Sequence, residues 1–267
     1  MELLRALAAF SEPPGEEQLR IAAALELPAP SAADHTDLFV LQLVPYASVF
    51  LGSEGMIGGV ARDRVAGFWR AVGLVPPAEP DHLAALLGLY AALAEDEPTQ
   101  SVPARAALRR QARAALLYEH LLSWLDPWLA KLAEIAPPPY AAWGELLADA
   151  LRLEAGTVLD GGEPLPAHLR EATPLESPER MGGPAFLAGL LAPVRSGLVL
   201  VRDDLARAAR DLGLGARVAE RRYVLRHLLG QDPAGTLGWL EAEGRRAARR
   251  PAVIAAPAVA AHWKDRA

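Results

Sequence analysis

Glu79-Pro80-Asp81-His82-Leu83, with the apolar run that follows it, is the part of this chain from which the rest is best read. A breaker run, Pro76-Pro77-Ala78-Glu79-Pro80, stands before it, and Leu83, Leu86, Leu87, Tyr90 and Leu93 follow at three- and four-residue steps. That spacing predicts one face of a helix. Asp81 stands where an N-cap belongs, with a carboxylate able to accept from the free backbone N–H groups of a first turn. Pro80 biases Glu79 away from helical geometry. The expectation is an imidazole, His82, in the first helical turn, flanked by the carboxylates of Glu79 and Asp81.

Working outward, helical periodicity continues on both sides. Upstream, short helices are expected over 2–10 and 15–27, broken by Pro13-Pro14 and Pro28-Ala29-Pro30. A helix capped by Asp34 or Thr36 follows, kinked or broken at Pro45, then a turn at Leu51-Gly52-Ser53-Glu54-Gly55. The next helix spans 60–73, with Gly73 as its stop. Downstream, a long helical pattern runs from Pro103 to Ile135. Within it, either Asp126 caps a fresh helix with Pro127 in its first turn, or the helix kinks there. Another helix starts near Tyr140. No pair of apolar runs is joined by a hairpin dipeptide. The fold class is therefore all-α, a helical bundle with Pro-rich connectors.

Three regions are expected: a helical domain over 1–155, a Gly/Pro-rich linker with one short helix over 156–200, and an Arg-rich helical extension over 201–267. Within the extension helices are predicted near 203–212, 216–230 and 233–249, and Pro251 to Ala267 as a frayed tail. The apolar share of 52% and charged share of 22% are those of a globular chain. The net charge of −6 is unevenly spread, because residues 202–250 hold eleven arginines against seven acids. The body is thus strongly acidic, which suits a cationic partner and argues against nucleic acid as its ligand. The N-terminus lacks a basic, then apolar, targeting pattern, and no apolar run is long enough to span a bilayer.

Catalytic groupings are missing. With no cysteine there is no thiolate nucleophile and no Cys-ligated metal. The sequence has no Gly-x-Ser-x-Gly elbow, no phosphate-cradling loop ending in Gly-Lys-Ser/Thr, and no paired histidines at metal spacing. Neither an enzyme nor a bound cofactor is expected. The second notable cluster is Tyr118-Glu119-His120-Leu121-Leu122-Ser123-Trp124-Leu125-Asp126-Pro127-Trp128. His120 and Trp124, four apart, share a helix face, with Glu119 and Asp126 at its flanks. Such a stripe is either core or the wall of a groove for an apolar peptide with basic residues at one end.

Glu79-Pro80-Asp81-His82-Leu83, followed some forty residues later by His120-Leu121-x-x-Trp124, resembles the TorD family of redox-enzyme maturation chaperones, which includes DmsD and NarJ. The Tyr46-to-Gly52 stretch is similar to the family's opening helix. The resemblance covers roughly residues 34–155. It implies an all-helical, non-catalytic, cytoplasmic chaperone. Its partner would be the N-terminal twin-arginine-type leader of a molybdopterin oxidoreductase, bound until the client's cofactor is inserted. It also implies that Glu79, Asp81, His82, His120 and Trp124 face the peptide, with Glu119 and Asp126 as further acids, and that the protein is a monomer or a helix-swapped dimer. The Arg-rich extension departs from the family. Its Leu205-to-Leu225 cadence and Arg221, Arg222 and Arg226 leave an alternative, a nucleic-acid-binding regulator built on residues 202–250 in helix-turn-helix style.

Overall fold

The computed structural model describes residues 1–254 and 256–267. Helices α1 (Glu2–Phe10), α2 (Glu16–Ala24) and α3 (Ala32–His35) lead into a π-helical stretch, Thr36–Gln42. Then come α4 (Ala47–Leu51), α5 (Gly59–Ala71) and α6 (Leu83–Asp96). The long helical pattern resolves into α7 (Pro103–Ala115), a π-helical turn (Leu116–Leu122) and α8 (Ser123–Ile135). It is followed by α9 (Pro138–Val158), α10 (Ala167–Glu171), α11 (Pro178–Met181), α12 (Gly183–Leu190) and α13 (Pro193–Ser196). The chain closes with α14 (Arg202–Asp211), α15 (Arg221–Gln231), α16 (Pro233–Arg249) and α17 (Pro257–Arg266). No strand occurs among the described residues, only an isolated antiparallel bridge between Tyr46 and His82. The expected all-α architecture is what the chain forms.

The core is organised around α8. Trp124 stacks on Phe50 at 5.3 Å and meets Trp128 edge-on at 6.0 Å; Trp128 in turn meets Trp143 at 6.0 Å. Edge-to-face and offset pairs of this kind add about 0.5–1.5 kcal/mol each beyond the area they bury. Helix α6 lies across α1 with Leu83, Leu86, Leu87 and Tyr90 fully buried, so the predicted face is the one that packs. A second apolar cluster joins Leu190, Leu200, Leu205, Leu225, Leu228 and Trp239.

Three local expectations are corrected, and the alternative left open at Pro127 is decided. Ser31, rather than Asp34 or Thr36, caps the helix after the Pro28 break, accepting from the Asp34 N–H. The helix expected from residue 216 begins at Arg221. Pro127 lies inside α8, in its second turn, and no fresh helix starts at Asp126. The largest correction is the tail. Residues 257–266 are helical, and Val259 and Trp263 are buried in the main core. Alanine-rich sequence carries little periodic signal, so the docking partner, not the local pattern, decides this element.

Candidate functional site

Three prolines keep residues 76–80 out of a helix, and that turn is pinned by side chains from α5. The Trp69 indole donates to the Pro80 carbonyl at 3.3 Å, and Arg62 donates to the Ala78 carbonyl at 3.0 Å. The turn then pairs with the residues before α4: Ala47 N–H donates to Asp81 O at 3.0 Å and Leu83 N–H to Pro45 O at 2.9 Å. Asp81 is only 1% exposed, and its carboxylate accepts the Ser48 N–H at 3.0 Å. It therefore caps α4 across the fold, not α6 as expected from its sequence position. Ser48 lies in the first turn of α4, and such an orphan donor needs a partner. The Ser48 hydroxyl in turn accepts the Gly58 N–H at 3.0 Å, tying the glycine-bearing turn after α4 to the same node.

His82 is the N-cap of α6, with Nδ1 accepting the Ala84 N–H at 3.2 Å and its ring edge-on to Tyr46 at 4.8 Å. Burial lowers its pKa, opposed in part by Glu12, Glu79 and Asp81. The neutral ring is the form that fits, because Nδ1 must be unprotonated to accept from the backbone. Glu12 Oε1, 3.4 Å from Nδ1, then has no charged partner. Glu79 is exposed and accepts from the Tyr46 hydroxyl at 2.7 Å; burial and this bond raise the Tyr46 pKa. No Lys or Arg pairs with Glu12 or Glu79 among the described residues. The turn face therefore presents two unneutralised carboxylates beside a half-buried tryptophan, Trp69.

The second cluster is used differently. Trp124 has no exposed surface, and its indole donates to the His120 carbonyl at 2.9 Å. The groove wall expected from it is core. Glu119 accepts the Ala167 N–H at 2.8 Å and so caps α10. Asp126 accepts the N–H groups of Val253 and Ile254 at 2.7 and 3.0 Å, and burial raises its pKa against those two bonds. His120 is buried against Phe68 at 4.9 Å and His168 at 6.2 Å. Burial first, then nearby positive charge, lowers the pKa of each histidine to about 4.

The two motifs are thus joined without forming an open cleft. Helix α4 links them, held at its start by Asp81 and stacked through Phe50 on Trp124. Of the residues expected to face the peptide, only Glu79 is exposed. Glu12, Tyr46 and Trp69 complete its surroundings and were not legible from spacing. Next to the Ser48 node a cavity of about 440 Å³ lies against Gly52, Ile57, Val60, Arg64 and His168, and Met56, Ile57 and Val60 are more than half exposed. In the extension, α14 and α15 are separated by nine residues, 212–220, where a helix-turn-helix uses three or four. Arg221 is turned inward, donating to the Leu200 carbonyl at 2.7 Å.

No helix among the described residues is long and apolar enough to cross a membrane. No curated protein matches the chain. Residues 5–130 match the family model described as nitrate reductase delta subunit, a span that contains most of α1, the Glu79–Leu83 turn and the His120–Trp124 motif. Over that segment, a little under half of the chain, the protein is similar to this family of NarJ- and TorD-type molybdoenzyme maturation chaperones.

Proposed function

We propose that this protein is a cytoplasmic chaperone that binds the N-terminal, twin-arginine-type leader of a molybdopterin oxidoreductase and assists cofactor insertion and assembly before export. The observation that carries the reading is the pair of unneutralised carboxylates, Glu12 and Glu79, beside a turn whose Asp81 is linked through buried Ser48 to the exposed apolar turn Met56-to-Val60. Guanidinium groups meet carboxylates in a fixed fork geometry, and an apolar stretch requires an apolar neighbour. The division of labour follows from magnitudes. Partly exposed ion pairs give about 0.2–1 kcal/mol each, whereas buried apolar area gives about 25 cal/mol per Å². The apolar part of the leader therefore supplies most of the affinity, and the two arginines supply the selectivity.

Calorimetric titration with a twin-arginine leader peptide and its Arg→Gln control tests this. The arginine peptide is expected to bind about tenfold tighter, a difference of about 1.4 kcal/mol. In a Glu12→Gln/Glu79→Gln chain that preference should shrink. Equal heats from both peptides, or none from either, would sink the reading.

A further inference from the structure

A segment with the chemistry of such a leader is already seated on this protein, and it is the chain's own. Arg249-Arg250 is followed by Pro251-Ala252-Val253-Ile254-Ala255-Ala256-Pro257-Ala258-Val259-Ala260-Ala261-His262-Trp263, two arginines and then a run with no Asp, Glu, Lys or Arg. This segment runs antiparallel to α8. Arg250 pairs with Glu134 near the end of α8, Asp126 accepts from Val253 and Ile254 in its first turn, and the Trp263 indole donates to the Ser123 carbonyl at its first residue, at 3.0 Å. The register is self-consistent. Eight helical residues from Glu134 to Asp126 span about 12 Å, and three extended residues from Arg250 to Val253 about 10 Å.

The groove reads the segment's backbone. Asp126 takes two N–H groups, and the Arg152 Nε donates to the Val253 carbonyl at 2.9 Å. Those bonds do not depend on side-chain identity, which is how extended peptides are commonly held. Ile254, Ala256, Val259 and Trp263 are buried beneath them. The groove is also wider than its occupant. Cavities of about 320 and 420 Å³ open beside it, one reaching Val253 with Glu145 and Asp149 in its lining, the other reaching Ala256 with Asp160 and Glu163. Arg152 lines both cavities and pairs with Asp149, which leaves Glu145 on one side and Asp160 and Glu163 on the other without an ion-pair partner among the described residues.

We propose that the groove along α8, bordered by α9 beside Val253, is a second peptide site for an Arg-Arg-apolar segment, that residues 249–254 and 256–263 fill it when no client is present, and that a client's leader displaces them. The inference rests on the leader-binding reading above and adds to it a place and a built-in competitor. The test adds a synthetic twin-arginine leader peptide to the full chain and follows amide hydrogen exchange at Val253 and Ile254. Displacement accelerates exchange at both positions. Heat of binding with unchanged protection there overturns the inference and leaves the leader-binding reading standing, with the Glu12–Glu79 face as the site.

An Arg250→Glu chain provides the second measurement. Repulsion from Glu134 loosens the tail without removing a core side chain, and leader affinity should rise about tenfold as the competitor is lost. Binding by this variant alone also supports the inference, since the native tail then excludes the peptide. Equal affinity of the two chains overturns it. No heat from either chain removes both this inference and the reading beneath it.

Discussion

Asp81 shows how far a single residue can be read. A carboxylate after Pro80 and before an apolar run is a cap, and a cap it is, but for α4 rather than α6. The choice was made by tertiary pairing: His82 takes the local role with Nδ1, and the bridge between Tyr46 and His82 brings Ser48 to Asp81. Removing the carboxylate in Asp81→Ala leaves a buried N–H without a partner, at about 1–3 kcal/mol. Urea denaturation should show that loss, while Glu79→Gln, on the surface, stays within about 0.5 kcal/mol of the parent. The buried histidines set a pH dependence. The pKa values of His120 and His168 are about 4 when folded, against 6.5 for the free group. The unfolded chain therefore binds more protons below pH 6.5, and stability falls as pH drops from there toward 4. Between pH 7.5 and 5.5 the two together should cost about 2–3 kcal/mol, read as a lower urea midpoint. Replacing both by Leu should flatten that slope.

At the scale of elements, helices were legible and their ends were not, because ends are decided by partners. Leu83, Leu86, Leu87 and Tyr90 announce α6 through their spacing alone, and all four are buried. Helix α17 announces nothing, since Ala and Pro carry no stripe, yet it docks because α8 offers an unfilled acceptor. Pro127 has no N–H, so the Ser123 carbonyl one turn earlier loses its helical donor. The Trp263 indole supplies the missing hydrogen bond at 3.0 Å. A double-mutant cycle isolates this link. Trp263→Phe should cost about 1 kcal/mol from the lost hydrogen bond, beyond any repacking. In a Pro127→Ala background, where the helix can satisfy Ser123 itself, much of that penalty should vanish, leaving a coupling of about 0.5–1 kcal/mol in thermal or urea unfolding. Strictly additive costs would show that the indole serves packing only. The Trp124 stripe carries the opposite lesson. Groove and core share one pattern on a helix, and burial by Phe50 and Trp128 settled it as core.

For the molecule as a whole, charge that looked like a basic extension beside an acidic body turns out to be the joint between them. Lys131, one of only two lysines in the chain, is buried on α8 and reaches both oxygens of the buried Asp204 on α14, at 3.1 and 2.9 Å. Arg207 bonds the same carboxylate at 2.9 Å and Glu243 on α16 at 2.7 Å, and Lys131 also meets Glu134 at 3.0 Å. Net charge by region was readable from the sequence, but which opposite charges would meet was not, because the partners lie 73 positions apart. Burying such pairs contributes little net stability against an apolar alternative, whereas breaking one is costly, about 3–5 kcal/mol. Lys131→Met should fall near the lower end, since Arg207 and the Val201 N–H still serve Asp204. The cost should concentrate at the joint. Under increasing urea, amides in 205–209 and 224–228 of the second cluster should lose exchange protection before those of α6 around Leu86–Tyr90. In the parent chain the two sets should open together. Simultaneous opening in the variant as well would mean that the clusters are fused by apolar packing and that the buried ion pair does not set their cooperativity.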